Sequence, residues 1–107
     1  MTSHILQPLF AQKTWANNEL FGVLSGVDAT AQADAVLTAT RTLNHIYVVD
    51  RIFRAHLAGE PHGYTATNTP ETPALNELWF QVGETDAWFE QYVATVTSES
   101  LAESIEI

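Results

Sequence analysis

Cysteine is missing from the 107-residue chain, so no thiol nucleophile exists, and the redox compartment stays open. Basic residues are scarce. Lys13, Arg41, Arg51 and Arg54 face thirteen Asp and Glu, for a formal charge of −9. Four cations cannot neutralise the row of phosphates a nucleic acid presents, nor hold the chain on an anionic bilayer. Long apolar runs are absent too, so nothing is built to span a membrane. The opening MTSHILQPLFAQK has no basic start and no small-residue cleavage site. It does not read as a secretory signal, so a cytoplasmic location is expected. There is no glycine-rich phosphate loop, and no serine stands beside a histidine and an acid. The acidic balance implies solubility and mutual repulsion rather than an activity.

What is present is helical. At 46% hydrophobic residues the chain is an ordinary globular one, long enough for one domain over residues 1–107 and one modest core. Leu6, Leu9, Phe10, Leu20, Val23 and Leu24 recur at helical spacing, which predicts a first helix from His4 to Leu24. Gly26 is placed to end it in the left-handed conformation. A second helix starts within Thr30 to Asp34 and runs to Ala58, where Gly59 and Pro61 stop it. Pro61, Gly63, Asn68 and Pro70 then predict turns. Thr72 is the expected cap of a third helix with Pro73 at its first position. Leu75, Leu78, Trp79, Val82, Trp88, Phe89, Tyr92, Val93 and Val96 form its apolar face. The ending SLAESIEI is expected to be extended. The fold class is therefore all-α, a helix bundle, in which Trp15, Trp79 and Trp88 pack in the core and at its rim.

Histidine draws attention on the second helix, TLNHIYVVDRIFRAHLAG. His45 sits among Ile46, Val48, Val49 and Ile52, on a face shared with Val48, Val49 and Ile52, and is expected to be buried there and hydrogen-bonded. One turn to either side no strong metal ligand occurs, so no chelating pair forms along the helix. His56 lies eleven residues on, roughly 16 Å along the axis, too far to share one ion. On the residues alone a packed core histidine outweighs a metal ligand. His62 reads as a solvated loop residue and His4 as a mobile terminal one. Asp50 and Arg54, one turn apart, read as a surface ion pair.

The same stretch, extended to TLNHIYVVDRIFRAHLAGEPHG, resembles the second-helix signature of the DinB-like (DinB/YfiT) proteins. That signature is a histidine, an aspartate five positions on, and an aromatic three further on: His45, Asp50 and Phe53. KTWANNELFGVL resembles the Trp-Ala-Asn segment of their first helix through Trp15, Ala16 and Asn17. ALNELWFQVGETDAWFEQYV resembles their third helix, with Asp86 in the usual aspartate position. The resemblance covers nearly the whole chain, in order.

It implies a four-helix bundle that holds nickel, zinc or iron with three histidines, one from the second helix and two from the last. His45 matches the first ligand. The other two have no counterpart, and SLAESIEI resembles the segment that leads into the last helix, so the chain is expected to be a truncated or a naturally shortened member. Relatives imply thiol-dependent transfer or metal-dependent hydrolysis, both needing an open position on a three-ligand metal. With His45 alone, no tightly bound metal and no turnover are expected, no catalytic residue is assignable, and no organic cofactor site is expected. The alternative is a non-catalytic bundle acting through self-association or partner binding. Phe10, Leu20, Ile52, Phe53, Leu57, Trp79, Trp88, Phe89 and Tyr92 are more apolar surface than three helices cover, which predicts a homodimer.

Overall fold

The computed structural model describes residues 2–28 and 30–95, with side chains from Ile5 onward. His4's side chain, Val96 and the expected extended ending lie outside the described residues. Three helices account for the fold: α1, Thr2–Ser25; α2, Ala33–Ala58; and α3, Leu75–Thr95. No strand occurs among the described residues, and no helix in them is long and apolar enough to cross a membrane.

The three helices end in different ways. Gly59 closes α2 with φ 71°, and the Glu60 and Gly59 N–H groups reach back to the Ala55 and His56 carbonyls. A side chain at this φ is strained, so glycine belongs here. Gly26 does not follow that pattern, because it lacks a positive φ. α1 instead tightens into i→i−3 bonds, Gly26 N–H to Val23 and Val27 N–H to Leu24, each at 3.1 Å. Thr72 does not cap α3 either. The helix begins two residues later than expected, at Leu75, and the Thr72 hydroxyl accepts a bond from Arg41 Nη1 at 2.7 Å.

α3 is the shared partner. α1 lies along it, α2 meets it over a shorter stretch, and α1 touches α2 through Lys13 and Asp50. The result is a layer of 50 × 30 × 15 Å with a radius of gyration of 15.4 Å. A compact chain of this size has roughly 12–13 Å, so the three helices form a flat, elongated layer. The core is correspondingly small. Phe21, Leu43, Leu78 and Val82 form its buried cluster, with Leu24, Tyr47, Leu75 and Trp79 packed against it. A second apolar centre surrounds Phe89, whose ring stacks on Phe10 at 5.3 Å and on Phe53 at 6.2 Å.

Of the tryptophans, Trp79 and Trp88 are half-buried as expected. Trp79 stacks on Phe21 and gives its indole N–H to Asn18 Oδ1 at 2.8 Å; Trp88 lies under the Arg54 guanidinium. Trp15 is 59% exposed and packs in neither place. It falls on the back of α1, because the inward stripe is Leu6, Phe10, Lys13, Thr14, Asn17, Phe21 and Leu24.

Candidate functional site

Two constellations carry chemistry, and they lie on different sides of α2. The first is a knot of charges where the three helices meet. Lys13 Nζ on α1 reaches Asp50 Oδ2 on α2 at 2.9 Å and Asp86 Oδ1 on α3 at 2.5 Å. Asn17, one turn on from Lys13, donates from Nδ2 to Asp86 Oδ2 at 2.8 Å. Thr14 donates to Glu90 Oε2 at 2.7 Å beside it. Asp86 is only 2% exposed. A bare carboxylate there would be costly, and the lysine and the amide supply the donors it needs. Burial pulls the Lys13 ammonium down, but the hydrogen bonds and charges of Asp50 and Asp86 outweigh it and hold the group above the usual lysine range. The Phe89 ring lies under the same ammonium, 5.7 Å from its centroid.

This knot corrects one reading of the sequence. Asp50 pairs with Lys13, not with Arg54. Arg54 Nη1 instead donates to both Glu84 carboxylate oxygens, at 3.0 and 2.9 Å. A pair one helical turn apart contributes only about 0.3–0.5 kcal/mol, too little to hold either side chain against a better tertiary partner.

The second constellation is His45. It is exposed, contrary to the burial expected of it. α2 has two packed sides, one against α3 and α1 and one under the loop of residues 59–74. Thr40, Leu43, Asn44, Val48, Ala55 and Leu57 occupy them. His45 stands one residue, or about 100°, past Asn44 and so turns to the open side. Val49, 42% exposed, and His56 share that side; Val48 is fully buried and Ile52 half-buried. The hydrogen bond expected of His45 is present. Its Nδ1 lies 2.6 Å from the Thr67 carbonyl oxygen. A carbonyl can only accept, so Nδ1 carries the proton, and in the neutral ring Nε2 keeps its lone pair.

That arrangement is how a metal-binding histidine is ordinarily held, with one N–H on a carbonyl and the other nitrogen presented outward. The rest of a metal site is not in the described residues, where no three His, Asp or Glu side chains converge. His45 thus fits the role of one ligand, and a complete donor set would need groups from elsewhere. His62, exposed in the loop as expected, accepts the Tyr64 N–H at 3.0 Å and stacks on that ring.

Between α2 and the loop, away from His45, opens a hollow of about 460 Å³ with Asn44, Tyr47, Tyr64, Glu71 and Glu77 in its walls. Burial, with Tyr64 beside it, pushes the Tyr47 phenol above its ordinary value, so it offers a neutral hydroxyl.

Of the residues singled out in the sequence, Asn17, Asp50 and Asp86 come together and His45 stands apart. Lys13, Asn44 and Asn68 were missed as site residues. A signal existed for Asn44: with Thr40 and Val48 it marks a four-residue repeat in which polar groups occupy an inward stripe. For Lys13 the only sign was its rarity, as the single lysine of an acidic chain. Comparison with family models, with curated proteins and with solved structures returned no match to this chain.

Proposed function

We propose that the chain is a DinB-like metal-binding helical protein in which His45 supplies one ligand, and that residues 1–107 alone do not turn over a substrate. The observation that carries the reading is the His45 ring, held by the Thr67 carbonyl at Nδ1 on the open side of α2. The meeting of Asn17, Asp50 and Asp86 adds to it, because the three segments that resemble the family then share one contact point. A bound divalent metal would activate a thiol or a water as a Lewis acid. The part of this chain is to offer Nε2 in a fixed direction.

Titration calorimetry with nickel and zinc tests the reading. One imidazole does not outcompete water and buffer, so binding weaker than micromolar is expected, lost in His45→Gln. Submicromolar binding that survives His45→Gln would overturn it.

A second reading, self-association, is favoured by apolar side chains left exposed on α1 and α2. Leu9, Ala16 and Leu20 share the face of Lys13 at helical spacing, and Ile46 and Phe53 share that of Asp50. Lys13 and Asp50 are in contact, which brings the two stripes near each other. Leu9, Leu20, Ile46 and Phe53 are all exposed. Covering one such side chain contributes roughly 1.5–3 kcal/mol, and a two-fold interface lets each protomer serve as the other's missing wall. The charge of −9 opposes association, but salt screens it beyond ~8–10 Å. Light scattering coupled to size exclusion at physiological salt is expected to give twice the 11.8 kDa chain mass. A folded monomer would sink this second reading.

A further inference from the structure

The 59–74 loop has no helix or strand to order it, yet it is tied to α2 by a chain of hydrogen bonds whose directions can be settled one by one. Asn68 is the fixed point. Its side chain meets the Thr69 N–H, which only donates, at 2.8 Å, and the Arg41 carbonyl, which only accepts, at 3.1 Å. The amide orientation follows: Oδ1 faces Thr69 and Nδ2 faces Arg41. Asn44 Nδ2, 2.6 Å from that same Oδ1, must therefore donate to it, and it also lies 2.7 Å from Thr69 Oγ1. Asn44 is 2% exposed, so these bonds form away from competing water. Arg41 braces the far side through the Thr69 carbonyl at 3.2 Å and the Thr72 hydroxyl.

The Thr67 carbonyl belongs to the peptide that joins Thr67 to Asn68. The bonds to the Asn68 side chain restrain the residue on which that peptide hangs, and its oxygen is the partner of His45 Nδ1. We propose that Asn44 and Asn68 are positioning residues for His45, holding the Thr67 carbonyl so that the ring rests as the Nδ1–H tautomer with Nε2 presented to an incoming metal ion or other electrophile. A free imidazole side chain favours the proton on Nε2. The loop reverses that preference at this one histidine. The role of the Asn44 amide is thus exerted through a backbone carbonyl rather than by touching a ligand.

The test reads proton position, not activity. In the full chain, labelled with nitrogen-15 and free of metal, long-range proton–nitrogen NMR at mildly alkaline pH reports which ring nitrogen carries the hydrogen. His45 is assigned by its loss in His45→Gln. The wild type is expected to show His45 as Nδ1–H, with exposed His56 and His62 read in the same spectrum as references. In Asn68→Ala the Nδ1–H to Nε2–H ratio at His45 is expected to fall by about tenfold, the equivalent of one typical hydrogen bond, while His56 does not change. Asn68→Ser, which keeps one polar atom, is read alongside it should alanine unfold the chain, and a smaller fall in the same direction is expected. Asn18→Ala removes the Trp79 indole partner, a bond between α1 and α3 outside the Asn44–Asn68 network, and controls for general loosening. An Nε2–H tautomer in the wild type overturns the proposal, as does an equal shift in Asn18→Ala. Because the measurement is made without metal, a chain that binds none sinks the metal reading and leaves this one standing.

Discussion

Lys13→Ala is expected to destabilise the protein by on the order of 3 kcal/mol, more than any other surface-accessible substitution. The lysine holds two carboxylates that approach from different helices, Asp50 at 2.9 Å and Asp86 at 2.5 Å. Removing it leaves Asp86 buried with only the Asn17 amide as a named donor, and leaves two like charges facing each other. An uncompensated buried charge is what makes a broken ion pair expensive, far beyond the worth of an exposed one. Urea unfolding followed by circular dichroism measures the loss. The double variant Lys13→Met, Asp86→Asn removes both charges and keeps a hydrogen-bonding group beside Asn17, so it is expected to recover part of that loss. A single variant within about 0.5 kcal/mol of wild type would mean that the knot is solvated.

The same group sets an alkaline limit. The folded-state lysine lies above its ordinary value, so its contribution is complete at neutral pH, below the unfolded value. It disappears only as the pH climbs through the raised folded value. Wild-type stability is therefore expected to fall in the strongly alkaline range. Lys13→Ala should lack that component, and a stability that falls equally in both proteins would remove Lys13 as its source.

Phe89→Ala is expected to cost about 3–5 kcal/mol, the range for emptying a buried aromatic position. Phe89 is 1% exposed and sits where all three helices meet. Its ring stacks on Phe10 of α1 and Phe53 of α2, and takes the edge of Trp88 at 5.3 Å and 83°. Truncation removes the transfer energy of the ring and opens a cavity beneath Lys13. The core is small and Phe89 is packed from all three helices, so its loss leaves a gap that neighbours fill only in part. A small domain has only about 5–15 kcal/mol in total, and the variant should lose a large part of it. Phe80→Ala is the comparison, because Phe80 lies 78% exposed on the same helix. It should stay within about 0.5 kcal/mol of wild type. Equal losses in both variants would mean that Phe89 is not the centre of packing.

Much of the fold could be read from spacing alone. The helical extent of α1, the stop at Gly59, and the run from Leu75 through Val93 follow from local rules: helical periodicity and the φ that glycine tolerates. Which residues of α1 face inward does not: Leu6, Phe10 and Leu24 do, whereas Leu9, Leu20 and Val23 are exposed, and the fully buried Phe21 was not in the expected stripe. Those rules act within a few residues, so they hold whatever the rest of the chain does. The scarcity of basic side chains and of long apolar runs is likewise a property of the sequence itself.

Orientation was decided only in three dimensions. On α2 the apolar residues Ile46, Val48, Val49, Ile52 and Phe53 cover so wide an arc that the helical period cannot say which part turns inward. The loop of residues 59–74 resolved it by covering the Asn44 and Val48 side, and this left His45 outside with its Nδ1 on the Thr67 carbonyl. Asp50 shows the same logic. Its nearest cation in the sequence, Arg54, offers only a weak helical-turn pairing, whereas Lys13, thirty-seven residues earlier, meets it at a partly buried junction. Local spacing sets which residues are neighbours on a helix. Which charges are desolvated together, and hence which pairs matter, depends on how the helices pack.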